Sequence, residues 1–135
     1  MKTTMIRHEI RTRTRNEFIE VTELVRRAVR GARGPISAVL VSSPHTTAGI
    51  TIQENADPDV VHDLLLWLDD RIPQREKGFR HGEGNSDSHL KTMLVGTSVT
   101  VPVENGELVL GTWQGVYFCE FDGPRERSVW IQIPG

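Results

Sequence analysis

The sequence predicts an α+β fold with mixed or antiparallel sheets, two main helices and one short helix. Three observations predict it. Two segments place apolar residues at helical spacing, strand-like patterns crowd the last third of the chain, and the order lacks the regular β–α alternation of a doubly wound sheet. Taken in order, Arg7, Glu9, Arg11, Arg13 and Arg15 alternate with Ile6, His8, Ile10, Thr12 and Thr14, the period of a half-buried strand with a solvated charged face. A turn around Asn16 leads to Val21, Leu24, Val25, Ala28 and Val29, an amphipathic helical stripe, and Gly31 is expected to end that helix in a left-handed conformation. Ile36 to Ser43 is continuously apolar and rich in β-branched residues, as in a central strand covered on both faces, and Ala48 to Gln53 reads as another strand.

Asp57-Pro58 is a helix start, because aspartate caps free amides and proline suits the first turn. Val60, Val61, Leu64, Leu65 and Leu68 are its expected buried stripe, and Pro73 lies beyond its end. Leu90, Met93 and Leu94 before Gly96 predict a short helix begun by Ser86 or Asp87. From Thr97 the chain reads as four strands: TSVTVPV and ELVLGTW joined by Asn105-Gly106 in a tight hairpin, then Gly115 to Phe121 and Ser128 to Ile133.

At 135 residues the chain is expected to form one domain over 1–135, large enough to bury a core without disulfides. With one cysteine, Cys119, and no signal-peptide pattern after Met1, a cytoplasmic location is the expectation. No apolar run approaches the roughly 20 residues of a membrane-spanning helix, so no membrane role is expected. The net charge of −2 is uneven: residues 1–34 carry nine Lys/Arg against four Asp/Glu, the remainder seven against fourteen. The basic end falls on the alternating strand, which favours a solvated face over nucleic-acid binding.

The chemistry centres on histidine. His45 follows the apolar strand in SPHTTAG, and His81 and His89 bracket the polar stretch HGEGNSDSH. Three neutral imidazoles with an open fourth position form a catalytic zinc arrangement, although no fixed-spacing motif imposes it and three unrelated surface histidines satisfy the same pattern. Glu83, Asn85 and Asp87 provide carboxylates and an amide for acid/base or supporting roles, with Asp87 also a candidate cap of the short helix. Thr46, Thr47, Lys91 and Arg125 are candidates for holding a phosphate or carboxylate. Trp113-Gln114 closes a strand as either core or ligand platform. Cys119, mid-strand among Tyr117, Phe118 and Phe121, reads as a buried inert thiol, and His8 and His62 as structural.

Together, SPHTTAGITIQENADPDVVHDL, HGEGNSDSHLKTMLVGTSVTVPVENGELVLGTWQG and EFDGPRER resemble the YjbQ-like family of secondary thiamine-phosphate synthase enzymes over nearly the whole chain. The resemblance implies a small sandwich-like α+β fold, a homotrimer, and a site near subunit contacts where His45, His81 and His89 hold a metal such as zinc. It also implies joining of a phosphorylated hydroxymethylpyrimidine to a phosphorylated thiazole with loss of pyrophosphate. The expected function is therefore a metal-dependent enzyme acting on a small phosphorylated metabolite: Glu83, Asp87 and Gln114 in catalytic roles, and Thr46, Thr47, Asn85, Lys91, Trp113 and Arg125 binding substrate. The alternative is a non-catalytic homotrimer that binds a metal or metabolite.

Overall fold

The computed structural model describes residues 3–134; of the expected domain, residues 1, 2 and 135 lie outside the described residues. The elements are β1 (Thr4–Arg11), β2 (Glu17–Glu20), α1 (Thr22–Arg30), β3 (Ala38–Ser42), β4 (Ala48–Glu54), α2 (Pro58–Arg71), α3 (Ser86–Val95), β5 (Ser98–Glu104), β6 (Glu107–Leu108), β7 (Gln114–Glu120) and β8 (Glu126–Ile133). Five strands form one sheet in the order β1-β8-β3-β5-β6 and three form a second in the order β2-β7-β4. The pairings are antiparallel, so the expected α+β class stands and the choice between mixed and antiparallel resolves to the latter.

The two sheets bury their facing sides against each other. Val39, Val41, Val101, Val129 and Ile131 come from the larger sheet, Ile50, Val116 and Phe118 from the smaller, and Val25, Ala28 and Val29 of α1 join the same core. The opposite face of the smaller sheet carries Tyr117, Cys119 and Phe121, packed with Val61 and Leu68 of α2 and Val95 of α3. Period-two alternation in β7 thus serves two cores, which is why nearly the whole strand is buried.

Several expectations need correction. β2 replaces the simple turn and makes eight strands of seven; its four residues pair Phe18 with Cys119 and are too few to show a period. β3 is not covered on both faces: Val39 and Val41 are buried, but Ala38, Leu40 and Ser42 are only half-buried on the outer face of the sheet. Gly31 ends α1 in a right-handed conformation (φ −82°), donating to Arg27 O, so no left-handed cap is made there. The α2 stripe falls where expected and Asp57 accepts from the Asp59 amide at 2.9 Å, yet no α2 residue is fully buried and Leu66 and Trp67 are exposed. Asn105 and Gly106 (φ 52° and 78°) make the expected tight hairpin, but β6 stops at Leu108, so Trp113 sits in a turn before β7 instead of closing a strand.

Gly49 of β4 lies so close to α3's end that a Cβ would overlap the Gly96 carbonyl oxygen, the acceptor of the Ile50 amide at 3.0 Å. Backbone cannot yield as a side chain can. Gly49→Ala is expected to destabilise the fold by about 1–3 kcal/mol, read as a lower urea midpoint at unchanged slope.

Candidate functional site

The site begins with α3, which is turned the opposite way from expectation. Asp87, Ser88, Lys91 and Thr92, at i, i+1, i+4 and i+5, are buried, while Met93 and Leu94 are 71% and 62% exposed. Asp87 does not cap the helix; Asn85 occupies that position. The Asp87 carboxylate accepts from both Arg15 guanidinium nitrogens at 2.8 and 2.9 Å and from Lys91 Nζ at 3.2 Å. Lys91 Nζ also donates to Asp69 Oδ1 at 3.2 Å and Asn16 Oδ1 at 3.4 Å, and Ser88 Oγ donates to Phe121 O at 2.6 Å. Burial alone would raise the Asp87 pKa, but the bonds from Arg15 and Lys91 prevail and hold it below the usual carboxylate range. Asp87 is therefore a fixed anion with occupied oxygens, and Lys91 is a buried cation spent on carboxylates; both build the site instead of facing a substrate.

A second buried network closes the same end of the sandwich. Glu120 accepts from Thr12 Oγ1 at 2.7 Å, Arg127 Nε at 2.8 Å, and the amides of Phe121 and Asp122, each at 3.0 Å. Arg127 also donates to Thr47 Oγ1 at 2.8 Å, so Thr47 is buried and oriented while Thr46 stays exposed. Sequence reasoning missed Glu120 and Arg127. Their signal was phase: Glu120 shares the inward face of Val116 and Phe118, and Arg127 that of Val129 and Ile131, and a charge on a buried face requires a partner.

His45 lies beside this network, its ring edge-on to Phe118 and its Nε2 accepting from the Ser128 amide at 2.9 Å. In the neutral ring that bond leaves the proton on Nδ1. Burial, followed by the charge of Arg127, lowers the His45 pKa.

His81 and His89 do come together, with ring centroids 5.5 Å apart at 73°. Two imidazoles on one tetrahedral zinc have centroids about 5 Å apart, given Zn–N bonds of about 2.0–2.1 Å. The centroid separation of the pair is close to that distance. Glu83 Oε2 is 3.8 Å from His81 Nε2 and mostly exposed. No group of three or more His, Cys, Asp or Glu side chains is arranged to hold a metal among the described residues, so one chain presents the imidazole pair without a third ligand.

Around the pair, Asn85 Nδ2 donates to Asp122 Oδ2 at 2.7 Å, and Asp122 also accepts from Arg125 Nη2 at 2.9 Å. Asn85 Oδ1 is buried without a partner among the described residues. Trp113 and Gln114 lie elsewhere. Gln114 pairs with Glu54 and Glu120 with Ala48 in the β4–β7 register. Six strand residues, about 20 Å, therefore separate Gln114 from the Glu120 end. Gln114 Oε1 there accepts from the Gly111 amide at 2.8 Å.

The depressed His45, Asp87 and Glu120 values give stability a sign with pH. Each unfolded group binds protons more readily than its folded form, so these contributions are complete above the unfolded pKa and lost as pH falls through the folded one. The urea midpoint is expected to decline below about pH 6.5 as unfolded His45 protonates, and again below about pH 4 for the carboxylates. His45→Ala should remove the first decline and leave the second.

The family described as UPF0047 protein YjbQ-like matches residues 6–135. UPF0047 protein YugU of Bacillus subtilis is 50% identical over 127 residues, covering 94% of this chain and 96% of the relative. A UPF0047 protein of Methanocaldococcus jannaschii is 44% identical over 131 residues, covering 97% and 94%. Among solved structures, a YjbQ/UPF0047 protein of Clostridium acetobutylicum superposes with a TM-score of 0.92 at 48% identity, over 96% of this chain and 99% of that one. A YbjQ-like protein of Sulfolobus solfataricus reaches 0.91 at 27% identity, over 98% and 96%. With the motifs, the paired antiparallel sheets and the family match in agreement, this chain belongs to the YjbQ-like UPF0047 family.

Proposed function

We propose that the protein is a metal-dependent transferase of the thiamine-phosphate synthase type, acting on a small phosphorylated metabolite at the end of the sandwich where His81 and His89 meet. The observation that carries the reading is the 5.5 Å approach of these two rings, one from the polar loop and one from α3. Zinc is the assigned metal, because imidazole suits it and a catalytic site keeps an open position. His45 is assigned as third ligand, at a site shared between the subunits of a homotrimer; binding through Nδ1 would release the proton that its bond from Ser128 leaves there.

When bound, the metal supplies Lewis-acid polarisation of a phosphoryl oxygen. The chain's own residues do the rest. Glu83, exposed beside His81, is assigned the acid/base role. Asp122, itself bonded by Asn85, holds Arg125 Nη2, and the half-exposed guanidinium is the group assigned to the phosphates. The exposed Thr46 hydroxyl adds a neutral donor. In the reaction, the thiazole nitrogen forms a bond to the pyrimidine methylene carbon as the carbon–oxygen bond to pyrophosphate breaks, so the electron pair leaves on pyrophosphate. Trp113 and Gln114 take no part within the same chain.

A second reading, a non-catalytic homotrimeric metal- or metabolite-binding protein, is favoured by Leu66, Trp67, Met93 and Leu94, large apolar side chains exposed on α2 and α3. Turnover separates the two. Protein purified without a histidine tag should carry zinc and convert the pyrimidine and thiazole phosphates to thiamine phosphate with release of pyrophosphate. His81→Ala and His89→Ala should each lower metal affinity at least about tenfold and abolish turnover. Unchanged metal content and rate would remove the assignment; bound metal, ligand-dependent thermal stabilisation and no turnover would leave the second reading.

A further inference from the structure

One cavity lies far from His45, His81 and His89. It measures about 650 Å³ and opens between the end of α1, the following loop and the Thr4–Ile133 end of the β1–β8 pair. Seven residues of strand, about 23 Å, separate that end from Arg11 and Glu126, which neighbour the site described above. Its volume falls within the roughly 300–1,000 Å³ of small-molecule pockets.

We propose that this cavity binds a small anionic amphiphile, with an apolar body against Ile6, Ala28, Ile36 and Ile133 and an acidic head between Arg27 and Arg33. The apolar residues belong to the main core or pack on it, so the cavity is an opening onto that core which α1 leaves uncovered. Among the described residues no carboxylate side chain lines it, and Arg27 and Arg33 are the charged side chains that do. The neighbouring arginines are already occupied, Arg26 by Glu23 and Arg30 by Glu107, whereas Arg27 and Arg33 have no ion-pair partner among the described residues. The carbonyl end of α1 contributes about half a negative charge, which offsets only a quarter of the two guanidiniums. Two unmatched cations over an apolar floor select a ligand with an anionic head, carboxylate or phosphate, and a hydrocarbon or aromatic body.

The test titrates isotope-labelled full-length protein with sodium octanoate and with octyl phosphate, using octylamine as control. At least one anion is expected to shift the amides of Ile6, Ala28, Ile36 and Ile133 saturably while leaving His81 and His89 unmoved; which anion binds more tightly reads out the head group. The double variant Arg27→Gln/Arg33→Gln, exposed positions that should fold normally, is expected to weaken binding at least about tenfold, the loss of a charge-assisted contact. Ile36→Trp should fill the cavity and abolish it; if that variant fails to fold, the arginine variant decides. Absence of a saturable shift, equal binding of octylamine, or unchanged affinity in the arginine variant would overturn the proposal.

Discussion

The buried Asp87 carboxylate, clasped by Arg15 and Lys91, governs where α3 lies. An ionised group removed from water is several kcal/mol less favourable unless cations and donors surround it. Here two cations converge on it from the β1–β2 connection and from one turn further along the same helix, and Lys91 reaches on to Asp69 near the end of α2. These partners have fixed positions in the fold, so the helix has one acceptable rotation. That rotation turns a polar stripe inward and leaves Met93 and Leu94 facing out, against the ordinary preference of an amphipathic helix.

The position of His89 follows from this rotation. His89 lies two residues from Asp87 in the chain, about 200° around the axis, so the face that anchors the helix places the imidazole toward His81 instead of into the core. Asn85, preceding the helix, is tied to Asp122 in the β7–β8 turn, and the Glu120–Arg127 pair closes the sandwich beneath. α3 therefore holds His89 on a rigid element, while His81 and the exposed Glu83 stand on the preceding loop and Arg125 in the β7–β8 turn.

The fold was legible where a single rule applied. Asp57-Pro58 marked its helix and Asn105-Gly106 its hairpin because capping and left-handed turn geometry are local. Legibility failed where a segment's partner lay far away in sequence. β2 exists because Phe18 meets Cys119, and nothing in EFIE announces that. α3 was read by its leucines, whereas its orientation is dictated by Arg15, 72 residues earlier than Asp87. At the site, the pairing of His81 with His89 was visible as two histidines bracketing one polar stretch. The separation of Trp113 and Gln114 from them was not, because it depends on which end of a strand pair each residue occupies, a matter of register that composition does not express.

The sole thiol has a practical consequence. Cys119 is fully enclosed between the smaller sheet and the helices over it, and enclosure pushes its ionisation well above the ordinary thiol value. A thiol-modifying reagent reaches it only when β7 loses its cover, so the rate of alkylation in mild denaturant becomes a clock for that opening. Because α2 and α3 form the cover, the clock times the separation of the helices from the sheet, and any guest that fastens α3 down would be seen to slow it.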